Sequence, residues 1–303
     1  MSAKPNEEIP DDASEHERLR KTLWFAPNEK LMLSPYAKEL FLEYSKIPEE
    51  EVAAHILQAR EKAWKVHPYP CIGSFRFLDF AIIESPAYQR VVNKLKGGGK
   101  YLDMGCCFAQ DLRALVHAGV PSENLYGADL RPTFIELSYD LFQDRDTLKS
   151  TFFHGNIFDL SSFREVGGDQ SDPLPFKDIT GQIDIISARS FLHVFGVEDE
   201  FKAACQMARI LSSSKGSMII GRQVGSTEPG SCYISLRRRE PVFRHDPETW
   251  KAFWARVGEE TNTQWDVQSR MVDIAPEIKV SVRQAELRDI EDRAWLEFVI
   301  TRL

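Results

Sequence analysis

The spacing of hydrophobic residues changes period several times along the chain, and the changes predict alternating strands and helices. The sharpest block is Lys100-Tyr-Leu-Asp-Met-Gly-Cys-Cys-Phe-Ala-Gln-Asp-Leu-Arg113. Tyr101 to Met104 reads as a short buried strand and Gly105 as a tight turn. Phe108, Leu112, Leu115 and Val116 then recur at helical spacing, with Gly119 and Pro121 as stop signals. Such a turn aims backbone N–H groups and a helix N-terminus at the carboxyl end of a parallel strand, where open α/β sheets bind nucleotides.

The same alternation extends in both directions. Upstream, Ser34 to Leu95 is patterned as helix, with Val52, Ile56 and Ala63 on one face. Ser85-Pro86 opens the last of these helices, striped by Tyr88, Val91, Val92 and Leu95. Trp64 to Phe75, rich in aromatics and prolines, interrupts the helices. It reads either as a lid over a ligand or as an aromatic seam packed on the core. Gly97-Gly-Gly99 reads as a flexible joint to the sheet domain.

Downstream, strands are predicted at Asn124–Leu130, Thr151–Phe158, Ile183–Ser187 and Ser217–Arg222. Helices are expected from Phe134, Leu137, Leu141 and Phe142, and from Phe201, Cys205, Ala208 and Leu211. Polar Ser161 to Gln182 and the stretch Val224 to His245 read as loops. Asp246-Pro247 caps a helix that Gly258 would close. Two β-like stretches, Gln264–Val272 and Trp295–Thr301, end the chain. The expected fold is α/β and Rossmann-like, with a seven-stranded, mostly parallel sheet and helices on both faces. Its last strand inserts antiparallel, the order of class I methyltransferases. The expected division is a disordered tail over 1–18, a helical extension over 19–96 and the sheet domain over 97–303.

Composition narrows the function. A net charge of −8 disfavours a general nucleic-acid binder, and the basic run Arg237-Arg-Arg239 reads as a solvated loop. No apolar run reaches membrane-spanning length, and the first residues lack a signal-peptide pattern. Five cysteines with no Cys-x-x-Cys pair fit a reducing, cytoplasmic setting and no structural metal.

The candidate chemistry lies at the strand ends. Only Gly105 survives of the Gly-x-Gly-x-x-Gly fingerprint, with small Cys107 and Ala109 beside it. Asp129, ending the second strand, can accept hydrogen bonds from two ribose hydroxyls. Asp103, ending the first, would repel a pyrophosphate but suits a cationic sulfonium ligand with an amino-acid tail. Together Asp103, Gly105 and Asp129 favour S-adenosylmethionine over a nicotinamide cofactor; the bland alternative is that both acids cap turns. Asn156-Ile157 suits the edge and face of an adenine. His193 is a candidate base, or a histidine hydrogen-bonded to structure. Arg189 and Arg222 can hold a substrate carboxylate, or form ordinary ion pairs.

These stretches also resemble a family: the fungal S-adenosylmethionine-dependent methyltransferases of secondary metabolism, in particular the meroterpenoid carboxyl O-methyltransferases. The likeness runs through Ala63-Trp64, Pro68-Tyr-Pro-Cys-Ile-Gly73, Leu102-Asp-Met-Gly-Cys-Cys107, Gln110-Asp-Leu-Arg113, Ala128-Asp-Leu-Arg-Pro132, Gly155-Asn-Ile-Phe158, Phe191-Leu-His193 and Gly221-Arg-Gln223. It departs from the wider superfamily at Cys107 and Ala109, where glycines are usual, and at Asn156, where aspartate is common. The resemblance implies cofactor contacts at Asp129, Leu130, Asn156 and Ile157. With the residue reading, the cofactor set becomes Asp103, Gly105, Cys107, Asp129, Leu130, Asn156, Ile157 and Arg189. The substrate set is Trp64, Tyr69 and Arg222, and the catalytic set His193, Arg189 and Arg222. The expected reaction is methyl esterification of a small apolar acid, without nucleic acid or membrane as partner; a homodimer is compatible. The alternatives are methylation of a phenol, an isomerase or cyclase on the same scaffold, and a non-catalytic partner protein.

Overall fold

Strand β1 (Tyr101–Met104) lies inside an eight-stranded sheet, and all four of its residues are buried. Burial on both faces is what its near-continuous apolar run predicts, with Asp103 as the exception. The other strands of this sheet are β2 (Leu125–Asp129), β3 (Thr151–Asn156), β4 (Asp159–Glu165), β5 (Ile185–Ser187), β6 (Met218–Ser226), β9 (Trp265–Asp273) and β10 (Arg293–Arg302). β7 (Gly230–Cys232) and β8 (Val242–Arg244) form a separate hairpin. The sheet order is β4-β3-β2-β1-β5-β6-β10-β9. Strands β3, β2, β1, β5 and β6 run parallel, and β10 enters antiparallel between β6 and β9, as expected from the sequence. The structure, a computed structural model, describes residues 13–22, 24–172, 174–233, 240–274 and 292–303.

Helices cover both faces: α1 (Ala13–Arg20), α2 (Pro35–Glu39), which runs into a π turn (Leu40–Tyr44), α3 (Glu49–Val66), α4 (Pro70–Gly73), α5 (Tyr88–Lys96), α6 (Gln110–His117), α7 (Pro132–Phe142), α8 (Leu174–Ile179), α9 (Val197–Ile210) and α10 (Pro247–Thr261). One core joins α3, α5, α6 and α7 to the residues of β1 and β5 facing them. A second lies beneath α9 and α10, and a small third cluster joins Val224, Ile274 and Trp295.

Several expectations need correction. The eighth strand, β4, occupies sequence read as loop. It is an antiparallel edge strand that turns back on β3, so Phe163 is its one fully buried apolar side chain. Helix α8 covers it, stacking Phe176 on Phe163 with ring centroids 4.0 Å apart. The stretch 224–245 is not all loop: β6 continues to Ser226 and the β7–β8 hairpin follows, while Arg237 to Arg239 lie outside the described residues. Residues 13–18, read as tail, are helical, whereas 1–12 lie outside the described residues. Gly97 to Gly99 form a hydrogen-bonded turn, donating to the carbonyls of Asn93, Leu95 and Lys94. Helix α10 runs past Gly258 to Thr261. Gly258 is small for another reason: a Cβ there would meet the Thr263 carbonyl at 2.6 Å. The Asp246 cap is present as a full capping box with Thr249. Among the described residues, no helix is long and apolar enough to cross a membrane.

A buried ion pair ties the amino-terminal helices to the sheet. Arg113 on α6 is fully buried and donates to both carboxylate oxygens of Asp144, at 2.9 and 3.0 Å. Tyr44, from the π turn, donates its hydroxyl to the same carboxylate at 2.7 Å. Phe41 stacks on Phe142 beside it, centroids 5.6 Å apart. Arg113→Met would strand a buried carboxylate and should cost about 3–5 kcal/mol. Tyr44→Phe removes one donor and leaves the pair intact, costing about 1–2 kcal/mol. Urea unfolding of the two variants checks the ranking; equal losses would contradict it.

Candidate active site

The turn after β1 takes the glycine-loop conformation with few of its glycines. Gly105, Cys107 and Ala109 have φ of +74°, +49° and +47°, so every second residue is left-handed. A non-glycine residue there costs about 1–2 kcal/mol. The surroundings hold the loop in place. Gly105 and Cys106 donate their N–H groups to the Ala128 carbonyl at 2.8 and 3.0 Å. Cys107 donates to Asp129 Oδ2 at 2.9 Å, and the Arg113 guanidinium reaches the carbonyls of Phe108 and Ala109. Burial pushes both neighbouring thiols, Cys106 and Cys107, up, so they stay neutral.

Asp129 ends β2, with Oδ1 accepting from the Arg131 N–H at 2.9 Å. Two backbone donors fix its carboxylate and leave lone pairs to accept from a diol. Loss of solvent raises its pKa, against the pull of those donors. Leu130, next in sequence, is 48% exposed, a large apolar side chain with a surface to cover. Asn156 is exposed, its Oδ1 accepting from the Phe158 N–H in the turn into β4, and Ile157 beside it is buried.

Acids gather behind this edge. Asp103 is 6% exposed and Asp111, in the first turn of α6, 2%. Arg189, just past β5, places Nε 3.2 Å from Asp111 Oδ2. Burial, then the charge of Asp111, raise the Asp103 pKa well above the carboxylate range, while Arg189 opposes them. The group suits a cation. A diol acceptor, an uncovered apolar side chain and excess buried negative charge together fit S-adenosylmethionine. They do not fit a pyrophosphate.

Cations gather on the other side. Arg222 on β6 pairs with Asp79 at 3.2 Å and Glu84 at 3.7 Å. Its guanidinium lies 5.0 Å from the Trp295 ring, and that of Arg76 lies 4.5 Å from the same ring. Desolvation, then the nearby Arg189, lower its pKa to about 10. Arg189 and Arg222 line a narrow cleft with Ala81, Ile82, Pro86 and Phe298. The Ser190 N–H, in a left-handed residue, donates to the Arg222 carbonyl at 2.8 Å and so joins the two arginine segments.

His193 stands in a short 3-10 turn (Leu192–Val194), with the Val224 N–H donating to its Nδ1 at 3.4 Å. In neutral imidazole that places the ring proton on Nε2, which makes Nε2 a donor. The connector divides. Tyr69 is half-buried, 4.2 Å from the His67 ring, and His67 Nδ1 meets Arg131 Nη2 at 2.9 Å, close to the end of β2. Trp64 is a correction: 2% exposed, edge-on to Phe25, its indole N–H donates to the His16 carbonyl. It packs in the core.

Sequence reading missed Arg76, Asp79, Asp111, Phe191 and Trp295. Asp111 carried a signal, an acid in the first turn of the helix after the glycine turn. Phe191 carried none: its ring fills the space where a Gly105 Cβ would sit, 2.6 Å away. Gly105→Ala should therefore cost about 1–3 kcal/mol from backbone strain alone. Cys107→Gly relieves strain and should stay within about 1 kcal/mol of wild type. Denaturant midpoints of the two variants check this; a Gly105→Ala protein as stable as wild type would contradict it.

The family model described as "Meroterpenoid methyltransferase N-terminal domain" matches residues 24–78, and "Methyltransferase domain" matches 102–220. The chain is similar to the O-methyltransferase phiE of a fungal species, 42% identical over 76% of this chain and 73% of that one. An O-methyltransferase of Stereocaulon alpinum is 39% identical over 82% and 68%. The asnovolin E/chermesin D methyltransferase of Aspergillus novofumigatus is 37% identical over 77% and 79%. With this similarity and this sheet order, the chain belongs to the fungal S-adenosylmethionine-dependent O-methyltransferases of secondary metabolism.

Proposed function

We propose that this enzyme methylates a carboxylate of a small, largely apolar metabolite. The observation that carries the reading is the pair of largely buried arginines, Arg189 and Arg222, on a narrow cleft walled by Ala81, Ile82, Pro86 and Phe298 and shared with Ser85 and Glu297. An apolar wall with fixed guanidinium donors suits an acid that is otherwise hydrophobic. Arg222 already holds carboxylates, those of Asp79 and Glu84; a substrate carboxylate takes the place of Asp79.

When bound, S-adenosylmethionine supplies a methyl group activated by its sulfonium. The chain's own residues do the rest. Asp129, Leu130 and the Asn156-Ile157 turn hold the adenosine end, and Asp103 faces the positive charge. Arg222 orients the acceptor oxygen, and His193 Nε2 donates to it. Tyr69 and the connector limit water. A carboxylate is already ionised at neutral pH, so alignment and dryness are what the site must provide.

Arg222→Met should raise KM for the acid about 10–100-fold, the equivalent of one charged hydrogen bond of about 1.5–3 kcal/mol. His193→Gln keeps a donor and should retain most activity. The wild-type rate should stay flat above the substrate's own pKa of about 4–5. Steady-state kinetics with candidate acids, scored by S-adenosylhomocysteine formed, test all three. A rate that climbs through neutrality, with a folded His193→Gln protein about 10²–10⁴-fold slower, would point to a phenol acceptor and a histidine base.

A further inference from the structure

Two buried carboxylates, Asp103 and Asp111, lie near one largely buried cation at the end of β1, and that cation, Arg189, is paired with Asp111. Asp111 Oδ2 pairs with Arg189 Nε at 3.2 Å, and Asp111 Oδ1 accepts from the Ile82 N–H at 3.4 Å. Asp103 lies in the same group on β1, directly across from Ser187 of β5 in the sheet register. The titratable and charged groups facing Asp103 come from each neighbouring element. They are Tyr101 on β1, Asp111 on α6, Arg189 after β5, Asp129 on β2 and Cys106 in the turn. Burial and the two acids raise the Tyr101 pKa well above its ordinary value, and Cys106 is raised likewise, so both are neutral. Arg113, the other buried cation near the turn, is committed to Asp144. Arg222 is committed to Asp79 and Glu84. With Asp129 held by the N–H groups of Cys107 and Arg131, Asp103 and Asp111 are left as two carboxylates against one guanidinium.

A buried, uncompensated carboxylate takes up a proton instead of remaining charged. We propose that Asp103, Asp111 and Arg189 form a proton-exchange site, in which the cofactor's positive charge replaces a proton held by Asp103. Asp111 is then a positioning residue: it occupies Arg189 and thereby leaves Asp103 without its own cation. The balance is simple. Ligand-free protein carries the proton on Asp103. Binding of the cation releases that proton to solvent, and the site keeps its net charge.

The direction in pH follows from the raised pKa of Asp103. Below that pKa the proton competes with the cofactor, so affinity rises with pH, by up to about tenfold per pH unit. Above it, the carboxylate is already ionised and affinity is flat. The test is calorimetry of S-adenosylmethionine binding to the full chain in buffers of different ionisation heat. The range is about pH 5–7, below the titration of the ligand's own amino group. Wild type should release up to about one proton per ligand wherever the pH lies below the Asp103 pKa. Asp111→Asn frees Arg189 for Asp103, so release should fall to under about a third while binding persists. Asp103→Asn removes the exchanging group and gives a second, isosteric check on release. No release from wild type across this range would overturn the proposal. Full release from a folded Asp111→Asn protein would overturn it as well.

Discussion

The constraint on which the rest depends is the burial of Arg113. Its guanidinium is fully enclosed, held by both oxygens of Asp144 and flanked by the rings of Phe142, Phe152 and Tyr139. A charge so placed is tolerable only because each donor has an acceptor. Those acceptors belong to different parts of the chain. Asp144 follows α7 and is itself held by Tyr44 from the amino-terminal helices, while Phe108 and Ala109 offer carbonyls from the glycine turn. One side chain thus fixes the strained loop, the helix that follows it and the segment that packs over both. Left-handed Cys107 and Ala109 persist because this surrounding structure determines them.

Charge is sorted across the site. The carboxylates Asp103, Asp111 and Asp129 gather at β1, β2 and the first turn of α6, while Arg189 and Arg222 follow β5 and lie on β6. Arg189 joins the two groups, paired with Asp111 on one side and close enough to Arg222 to lower its pKa on the other. On the proposed reading, a cationic methyl donor meets the acid side and an anionic acceptor meets the arginine side once Asp79 gives way on Arg222.

What was legible in the sequence was what local chemistry decides. The strand, turn and helix from Tyr101 to Val116, the Asp246-Pro247 cap and the alternating Trp295–Thr301 strand all appear in place. Each rests on residues that speak for themselves: a glycine, a cap, a period. Strand β4 was not legible, because an edge strand can be polar along nearly its whole length and still pair. Trp64 was misread for a related reason. An aromatic in a proline-rich segment looks like a cleft wall, but the close approach of Gly73 opposite turns it into core: a Cβ at Gly73 would lie 2.6 Å from its ring. Asp111, Arg76 and Asp79 owe their roles to partners about 80 to 220 residues away, which no local pattern records.

The amino-terminal segment then carries more than a covering role. Asp79 and Glu84 place carboxylates on Arg222, Arg76 lies over Trp295, and Ile82 donates its N–H to Asp111. This one stretch therefore touches both the acid cluster and the cation cluster. Its own acids balance Arg222, whose side chain is only 14% exposed in the joined chain. A core cut at the start of β1 would expose Arg222 and break the Ile82 contact with Asp111. The charge layout therefore belongs to the joined chain, and the segment from Arg76 to Glu84 is as much a part of the site as the glycine turn.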